Sequence, residues 1–119
     1  MKVNQKKIHK PWGHEVIWAQ CEKFVGKILY LKSGHRLSRQ FHLKKEETVI
    51  VSKGTLHLEV GDPEKYIEIF QIKEGQSFHV KPGVVHRFCA PNGDVELYEV
   101  STPELEDVVR IEDDYSRTK

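Results

Sequence analysis

The chain has 119 residues and a mass of 13.9 kDa, enough for one domain with its own core and too little for two. Its 19 Lys and Arg residues balance 18 Asp and Glu residues, so it lacks the broad basic face that a nucleic-acid partner would need. No apolar run reaches the ~20 residues of a membrane helix, and the charged N-terminus contains no secretory signal. We therefore expect one cytoplasmic domain over residues 1–119, with its motifs in residues 10–117, that contacts neither nucleic acid nor membrane.

Apolar residues alternate with a period of two along most of the chain, a pattern typical of strands that a core buries on one side. The alternation starts at Phe24 and recurs in short segments, roughly 8 to 12 residues apart, between turn residues such as Ser52-Lys53-Gly54 and Lys81-Pro82-Gly83. The sequence Pro91-Asn92-Gly93-Asp94 predicts a hairpin. The spacing predicts an all-β sandwich or barrel.

One stretch near the C-terminus could instead be helical. Thr102 and Pro103 are typical of an N-cap and a first helical position, and acidic residues follow them. Leu105, Val108 and Val109 would form an apolar stripe on such a helix. The segment is short, so the fold class remains all-β.

Four residues together form a candidate metal site. Gln40 and His42 are two apart, so they share one face of a strand. Glu47 opens the next strand after the Lys44-Lys45 turn, and His86 arrives from a strand much further along the chain. Two imidazoles and one carboxylate on neighbouring strands can bind a divalent metal and leave positions open. The alternative is that these are unrelated polar residues on a half-solvated sheet.

The spacing of these residues resembles that of known motifs. Gly34-x5-Gln40-x-His42-x4-Glu47-x6-Gly54 is similar to the first cupin motif, with Gln40 at the position where most cupins have a His. The segment from Gly75 to Lys81-Pro82-Gly83-Val84-Val85-His86 is similar to the second. This resemblance implies a cupin fold, an all-β jelly-roll barrel or double-stranded β-helix with the metal in its mouth.

Further segments narrow the resemblance to one group within the cupins. They are Pro11-Trp12-Gly13, Leu37-Ser38-Arg39-Gln40-Phe41-His42, His86-Arg87, Glu99-Val100 and the run from Val109 to Arg117. In this order they resemble the C-terminal domain of type II phosphomannose isomerases, bifunctional enzymes that also carry mannose-1-phosphate guanylyltransferase. The resemblance implies interconversion of mannose 6-phosphate and fructose 6-phosphate through a cis-enediol. It also implies one divalent ion, zinc in this family, with Mn, Fe, Co or Ni as alternatives.

The same resemblance implies roles for four more residues. Arg36, Lys45 and Arg110 match basic positions that could bind the phosphate of a sugar phosphate, and Arg110 also matches a catalytic Arg that would lie over the reacting atoms. Glu99 has the parity of apolar neighbours on its strand, so it could face inward with the raised pKa of a general base. It could instead orient a neighbouring group. The alternative for each Lys or Arg is a solvated surface charge.

The chain also departs from the family pattern. Lys45 replaces an Arg, Thr48-Val49 replace an aromatic pair, and Arg39 replaces a Leu. Because an ammonium is a point charge and a guanidinium a two-pronged donor, the first of these changes alters how an anion could be held. These departures surround the pocket and therefore concern the substrate more than the metal.

Two other functions fit the same residues. His42, Glu47 and His86 could form the 2-His-1-carboxylate triad of an Fe(II) dioxygenase, although Gln40 as a fourth ligand counts against it. The chain could also be a non-catalytic cupin that binds a sugar or a metal. In each case we expect a homodimer, because a small barrel gains from covering its edge strands.

Overall fold

The computed structural model describes residues 1–117, which fold into two β-sheets that pack face to face. These residues form twelve strands: β1 (Lys6–Lys10), β2 (Gly13–Gln20), β3 (Val25–Leu31), β4 (His35–Arg36), β5 (Arg39–Phe41), β6 (Glu47–Lys53), β7 (Leu56–Asp62), β8 (Tyr66–Ile72), β9 (Ser77–Val80), β10 (His86–Ala90), β11 (Val95–Ser101) and β12 (Val109–Glu112). Residues 1–117 contain no helix, so the all-β prediction is confirmed. Accordingly, no helix in this part of the chain is long and apolar enough to cross a membrane.

The first sheet has the strand order β1-β2-β3-β11-β6-β9, and the second has the order β12-β5-β10-β7-β8, with β4 beside β10. Every pairing is antiparallel. The core lies between the sheets, where inward-facing apolar side chains such as Leu29, Val51, Leu58, Phe88 and Leu97 pack together. Both sheets contribute to this core because each strand turns alternate residues inward.

Two strands precede the alternation that the sequence analysis recognised. β1 and β2 form a hairpin with Lys10 opposite Gly13. The pattern hides them because β1 is almost wholly exposed and β2 turns the charged Glu15 inward. Gly13 has a φ of 152°, and a Cβ there would lie 1.9 Å from the carbonyl oxygen of Tyr30, so only glycine fits this turn.

The turn at Pro91-Asn92-Gly93-Asp94 is present, but the predicted hairpin is wrong. The strands on either side, β10 and β11, belong to different sheets. β10 pairs with β4, β5 and β7, whereas β11 pairs with β3 and β6. The turn therefore carries the chain from one sheet across the core to the other, as jelly-roll connections do.

The helix expected after Thr102 does not form either. The Leu105 N–H donates to the carbonyl of Pro103, two residues back, at 2.8 Å, whereas a helix needs a bond four residues back. The Thr102 hydroxyl accepts the N–H of Glu46 at 3.0 Å and so holds a neighbouring loop. Leu105 and Val108, the expected apolar stripe, line a cavity between the sheets.

Two buried arginines fasten the C-terminal segment, residues 109–117, to the second sheet. Arg39 Nε donates to Glu112 at 2.9 Å, and Arg87 Nη2 donates to Asp114 at 3.0 Å. Both guanidinium groups are nearly inaccessible, with side-chain exposures of 6% and 2%. Because β12 belongs to this segment and pairs with β5, these bonds hold β12 beside the cavity.

Replacing Arg87 by Met should lower the free energy of unfolding by about 2 kcal/mol, because the buried side chain loses charged bonds to Asp114 and to the carbonyl of Leu37. Arg36→Met is the matched control: it removes a pair with the same Asp114, but that side chain is 43% exposed. The control should cost less than about 1 kcal/mol. Urea denaturation at neutral pH measures both, and equal losses would contradict the role given to Arg87.

Candidate metal centre

Three metal-ligating side chains converge between the two sheets. His42 follows β5, Glu47 is the first residue of β6, and His86 is the first residue of β10. His42 Nε2 lies 3.5 Å from Glu47 Oε1, and His86 Nε2 lies 3.5 Å from Glu47 Oε2. The three ligand atoms lie within 4.8 Å of one another, and all three residues are buried. One ion could therefore contact all of them.

Hydrogen bonds fix the orientation of both imidazoles. His42 Nδ1 donates to the carbonyl of Asp107 at 2.6 Å, and His86 Nδ1 donates to the carbonyl of Val84 at 2.9 Å. In the neutral ring the other nitrogen, Nε2, then carries a lone pair. Within residues 1–117 neither Nε2 has a hydrogen-bond partner. Two unpaired buried nitrogens beside a carboxylate fit a divalent cation, and the carbonyls supply the outer bonds that metal-binding histidines use.

Gln40, the fourth predicted ligand, lines the same cavity as His42 and Glu47. It lies opposite His86 in the pairing of β5 with β10. Its Oε1 accepts a hydrogen bond from the Ser38 hydroxyl at 2.6 Å. An amide oxygen has two lone pairs, so this bond leaves one for a cation.

A buried ammonium and a second carboxylate complete the charge arrangement around Glu47. Lys45 Nζ lies 3.1 Å from Glu47 Oε1 and 3.2 Å from Glu99 Oε2, and all three side chains are buried. Burial disfavours the charged form of Lys45, but the two carboxylates outweigh it and raise its pKa. Burial likewise opposes ionisation of Glu47. Lys45, and the two imidazoles when each carries a proton on Nε2 in place of a metal, hold the pKa of Glu47 well below the usual range.

Glu99 faces inward, in agreement with its strand parity, and lines the cavity. Burial raises the pKa of this carboxyl, and the nearby charge of Glu47 raises it further, although Lys45 acts in the opposite direction. Glu99 and Glu47 are therefore two carboxyl groups with different proton affinities in one cavity. Such a difference allows one to bind a cation while the other exchanges a proton.

The predicted basic residues have different placements. Arg110 lines the cavity and lies opposite Gln40 in the pairing of β12 with β5. Lys45 also lines it, but its charge is already paired with two carboxylates. The structure does not bring Arg36 into the cavity, because its guanidinium makes two bonds to Asp114, at 2.7 and 3.0 Å, on the outer surface. Arg36 is therefore not part of the site.

The cavity also contains charged residues that the sequence analysis missed. Lys10, Glu15 and Lys27 come from the first three strands, and Arg117 comes from the C-terminal segment. Lys27 Nζ lies 3.4 Å from Glu15, and both side chains are buried. The sequence signal for Glu15 and Lys27 was the alternation in β2 and β3, which places both residues among inward-facing apolar ones.

Asp107 is a further residue that the sequence analysis missed. Its carboxylate accepts the N–H groups of Leu43, Lys44 and Lys45 at 3.0, 2.7 and 2.9 Å. These bonds, the Leu43 one foremost, lower the pKa of Asp107 to about 2. Since its carbonyl also accepts the bond from His42, Asp107 supports both the loop before Glu47 and one ligand. No sequence motif marks it, because it lies far along the chain from that loop.

The fold is that of a cupin. CapF of Staphylococcus aureus, described as a capsular polysaccharide assembling protein, superposes with a TM-score of 0.80 at 13% identity, over 92% of this chain and 34% of CapF. Oxalate decarboxylase of Bacillus subtilis superposes with a TM-score of 0.78 at 15% identity, over 91% of this chain and 30% of the enzyme. KdgF of Halomonas superposes with a TM-score of 0.71 at 15% identity, over 85% of this chain and 88% of KdgF. At these identities the likeness shows the fold.

Sequence comparison identifies the family within the cupins. Residues 1–113 match the family described as mannose-6-phosphate isomerase C-terminal, and the chain belongs to that family. The xanthan biosynthesis protein XanB of Xanthomonas campestris pv. campestris strain B100 is 34% identical over 117 residues, covering 95% of this chain. The alginate biosynthesis protein AlgA of Pseudomonas aeruginosa is 31% identical over 119 residues, covering 97%. The chain spans 24% of the length of each relative.

Glu47→Gln should abolish tight binding of a divalent metal, because it removes the one anion among the ligands while keeping the shape of the side chain. Glu46→Gln is the matched control: the neighbouring carboxylate is 44% exposed and pairs with His79. Metal content after dialysis against a known Zn²⁺ concentration measures both variants. A Glu47→Gln protein that keeps stoichiometric metal would disprove the assignment of the centre.

Asp107→Asn should weaken metal binding by about tenfold or more. The variant loses the carboxylate that holds the loop carrying Lys45, and the backbone carbonyl of residue 107, which orients His42, is then held less firmly. In the unmodified protein the pKa of the Asp107 carboxyl is lowered, so its ionised form stabilises the fold at pH values above the pKa that it has in the unfolded state. This contribution is lost as the pH falls towards 2. Asp113→Asn is the control, since bonds from Arg117 lower the pKa of Asp113 to about 2 in the same way. Acid denaturation should change in both variants, and metal affinity only in Asp107→Asn. Equal metal affinities would contradict the role of Asp107.

Proposed function

We propose that this chain is a metal-dependent sugar-phosphate isomerase that interconverts mannose 6-phosphate and fructose 6-phosphate. The observation that carries the proposal is the buried His42–Glu47–His86 centre, in a chain of the mannose-6-phosphate isomerase C-terminal family. His42 and Glu47 of this centre line one cavity together with Arg110 and Glu99. The relatives are about four times as long, so activity of this domain alone is part of what we propose.

The proposed ligands are Gln40, His42, Glu47 and His86, with zinc as the first choice of metal and Mn, Fe, Co or Ni as alternatives. Zinc accepts imidazole nitrogen and carboxylate oxygen, and the unpaired Nε2 atoms of both histidines support such a site. A bound divalent ion would stabilise negative charge on substrate oxygens as a Lewis acid. Because Glu47 is the only anionic ligand, the centre would keep a net positive charge.

The isomerisation requires transfer of a proton between C2 and C1 of the sugar through a cis-enediol. We assign this transfer to Glu99, which is buried in the cavity and whose pKa is raised by burial and by the nearby charge of Glu47, so that it binds a proton more readily than an exposed carboxyl does. Lys45, 3.2 Å from Glu99, stabilises its ionised form between transfers. We assign Arg110 to the negative charge that develops on the enediol oxygens, because its Nε is buried without a partner in residues 1–117.

The direct test is proton NMR of fructose 6-phosphate in D2O with the zinc-loaded and the chelator-treated protein. We expect metal-dependent formation of mannose 6-phosphate with deuterium in the product. Glu47→Gln and Arg110→Met should reduce the rate by about a hundredfold or more, and Glu46→Gln should leave it unchanged. No turnover with any of the five metals would overturn the isomerase.

Glu99→Gln, in the same assay, tests the proton carrier. If Glu99 moves the proton, this variant should lose about a hundredfold or more in rate and in deuterium exchange while keeping its zinc. If Glu99 only orients Lys45, the variant should keep most of the rate.

One observation favours a second candidate function. Lys45 replaces the family's Arg, and its ammonium is paired with Glu47 and Glu99 in the cavity. A centre whose cation is already neutralised would suit a cupin that binds a metal or a sugar without turnover. Calorimetric binding of fructose 6-phosphate without product in the NMR assay would establish that function.

Oxygen consumption by the Fe(II)-loaded protein would instead indicate a dioxygenase that uses the same three ligands, His42, Glu47 and His86.

A further inference from the structure

The outer face of the first sheet, which points away from the core, carries a continuous row of apolar side chains. Val16 of β2 lies opposite Ile28 of β3, which lies opposite Tyr98 of β11, which in turn lies opposite Ile50 of β6. The residues before and after each of them on its strand are buried, so the alternation of the strand directs the row outward. Four neighbouring strands therefore present one apolar row to the outside of the molecule.

Further apolar side chains lie beside this row. Val100 is two residues beyond Tyr98 on β11 and lies opposite Gly26 of β3. A Cβ on Gly26 would lie 2.6 Å from the ring of Trp18, so the indole covers this glycine. Phe24 lines the same surface hollow as Val100. Together with the row they form what we call the outer apolar face: Val16, Trp18, Phe24, Ile28, Ile50, Tyr98 and Val100.

Much of the outer apolar face is open to solvent in a single copy of the chain. Ile50 is 43% exposed, Tyr98 40%, Val100 54% and Phe24 53%. Monomeric proteins rarely expose a contiguous apolar patch of more than a few hundred Å², and a larger one marks an interaction site. These side chains are therefore candidates for contact with another macromolecule.

The outer face of the second sheet has a different character. Arg39 Nη2 lies 2.7 Å from the carboxylate of Glu59 there. Ile69, which is 60% exposed, lies opposite Glu59 in the pairing of β7 with β8. An exposed apolar residue beside an ion pair is ordinary. The continuous apolar row belongs to the first sheet.

The two ends of the apolar row differ in charge. Beyond Val16 the row continues to the exposed Lys7 on β1, and beyond Ile50 it continues to β9. The carboxylate of Glu46 lies at this second end, 2.6 Å from Nε2 of His79 on β9. A twofold axis parallel to the strands, between β3 and β11, would bring the Lys7 end of one copy towards the Glu46 end of another.

We propose that the outer apolar face binds a second copy of this chain, so that two first sheets pack face to face in a homodimer. Sheets pack in this way about 10 Å apart with their strands nearly aligned. Six strands about 4.8 Å apart and about seven residues long give a face of about 24 by 23 Å. Its side chains can supply the roughly 800 Å² of accessible surface that each partner buries in a stable complex.

This contact differs from the one expected from the sequence, in which a homodimer covers edge strands. The edges of the first sheet are poorly suited to pairing, because β1 carries Lys6, Lys7 and Lys10 and β9 is only four residues long. Short edge strands and edge lysines are features that prevent edge-to-edge pairing. A contact through the face uses the apolar row instead.

The proposed interface lies behind the metal centre and leaves its cavity open. Glu47 and Glu99 belong to β6 and β11, two strands of the interface, but both side chains point to the other side of the sheet. The inference therefore does not rest on the proposed isomerase, and either can fail without the other.

Sedimentation equilibrium of the full chain tests the assembly. The unmodified protein should reach about twice its mass of 13.9 kDa as its concentration rises. Ile50→Glu and Tyr98→Glu should each raise the dissociation constant of the dimer by about a hundredfold or more, because every dimer would then bury two added charges. Ile69→Glu is the matched control, since it places the same charge at an exposed isoleucine of the second sheet, and it should leave the dissociation constant unchanged.

Thermal unfolding separates loss of the interface from loss of the fold. The melting temperature of the unmodified protein should rise with protein concentration, because unfolding dissociates a dimer. That of Ile50→Glu should be independent of concentration and should equal the value of the unmodified protein at high dilution. Tyr98→Glu decides the question if Ile50→Glu does not fold.

Three results would overturn the proposal. The first is a monomeric mass for the unmodified protein at every concentration. The second is a dimer that both Ile50→Glu and Tyr98→Glu leave intact. The third is a dimer that Ile69→Glu dissociates, because the contact would then involve the second sheet.

Discussion

The carboxylate of Glu47 is almost completely buried, and the charges around it are arranged to keep it ionised. A buried anion is tolerated only if neighbouring groups replace the solvation it has lost. Lys45 supplies a cation from the adjacent turn, and the carboxylate of Glu99 also contacts that cation. Glu47, Lys45 and Glu99 together carry one net negative charge when all are ionised. A divalent ion would change that to one net positive charge, which suits an anionic substrate.

The arrangement depends on the packing of both sheets. Glu47 and Glu99 lie on β6 and β11 of the first sheet, whereas His86 lies on β10 of the second and His42 follows β5. Asp107 adds a link, because it binds the loop before Glu47 through its carboxylate and His42 through its carbonyl. The centre therefore exists only where the two sheets are closed over the core. A change that separates the sheets would remove the ligands from one another without altering any of them.

The sequence predicted the parts of the site that local spacing controls. Gln40 and His42 share a strand face, and a short turn brings Glu47 beside them, so their convergence follows from strand geometry. His86 was found only because a second motif resembled that of cupins. The family assignment follows the same motifs and agrees with the comparison over residues 1–113.

The sequence could not predict contacts that depend on pairing between distant segments. The burial of Lys45 requires Glu99 from β11, and the binding of Arg36 to Asp114 requires the C-terminal segment. No spacing pattern in the sequence marks Glu99 as the partner of Lys45 or Asp114 as the partner of Arg36. Lys10 was missed for a different reason, because an exposed strand shows no alternation. The hairpin expected at residues 91–94 failed because turn residues specify a change of direction but not the sheet that the next strand joins.

The path of the chain between the sheets also bears on how the protein folds. Strands next to each other in sequence form local hairpins only at β1–β2, β2–β3 and β7–β8 among the described residues. The other pairings join segments far apart in the chain, so much loop-closure entropy is lost before they form. Refolding should be correspondingly slow, on the order of milliseconds to seconds. The three ligands would assemble late on this route, and a bound ion would then act mainly by slowing unfolding, with little effect on the rate at which the native state is reached.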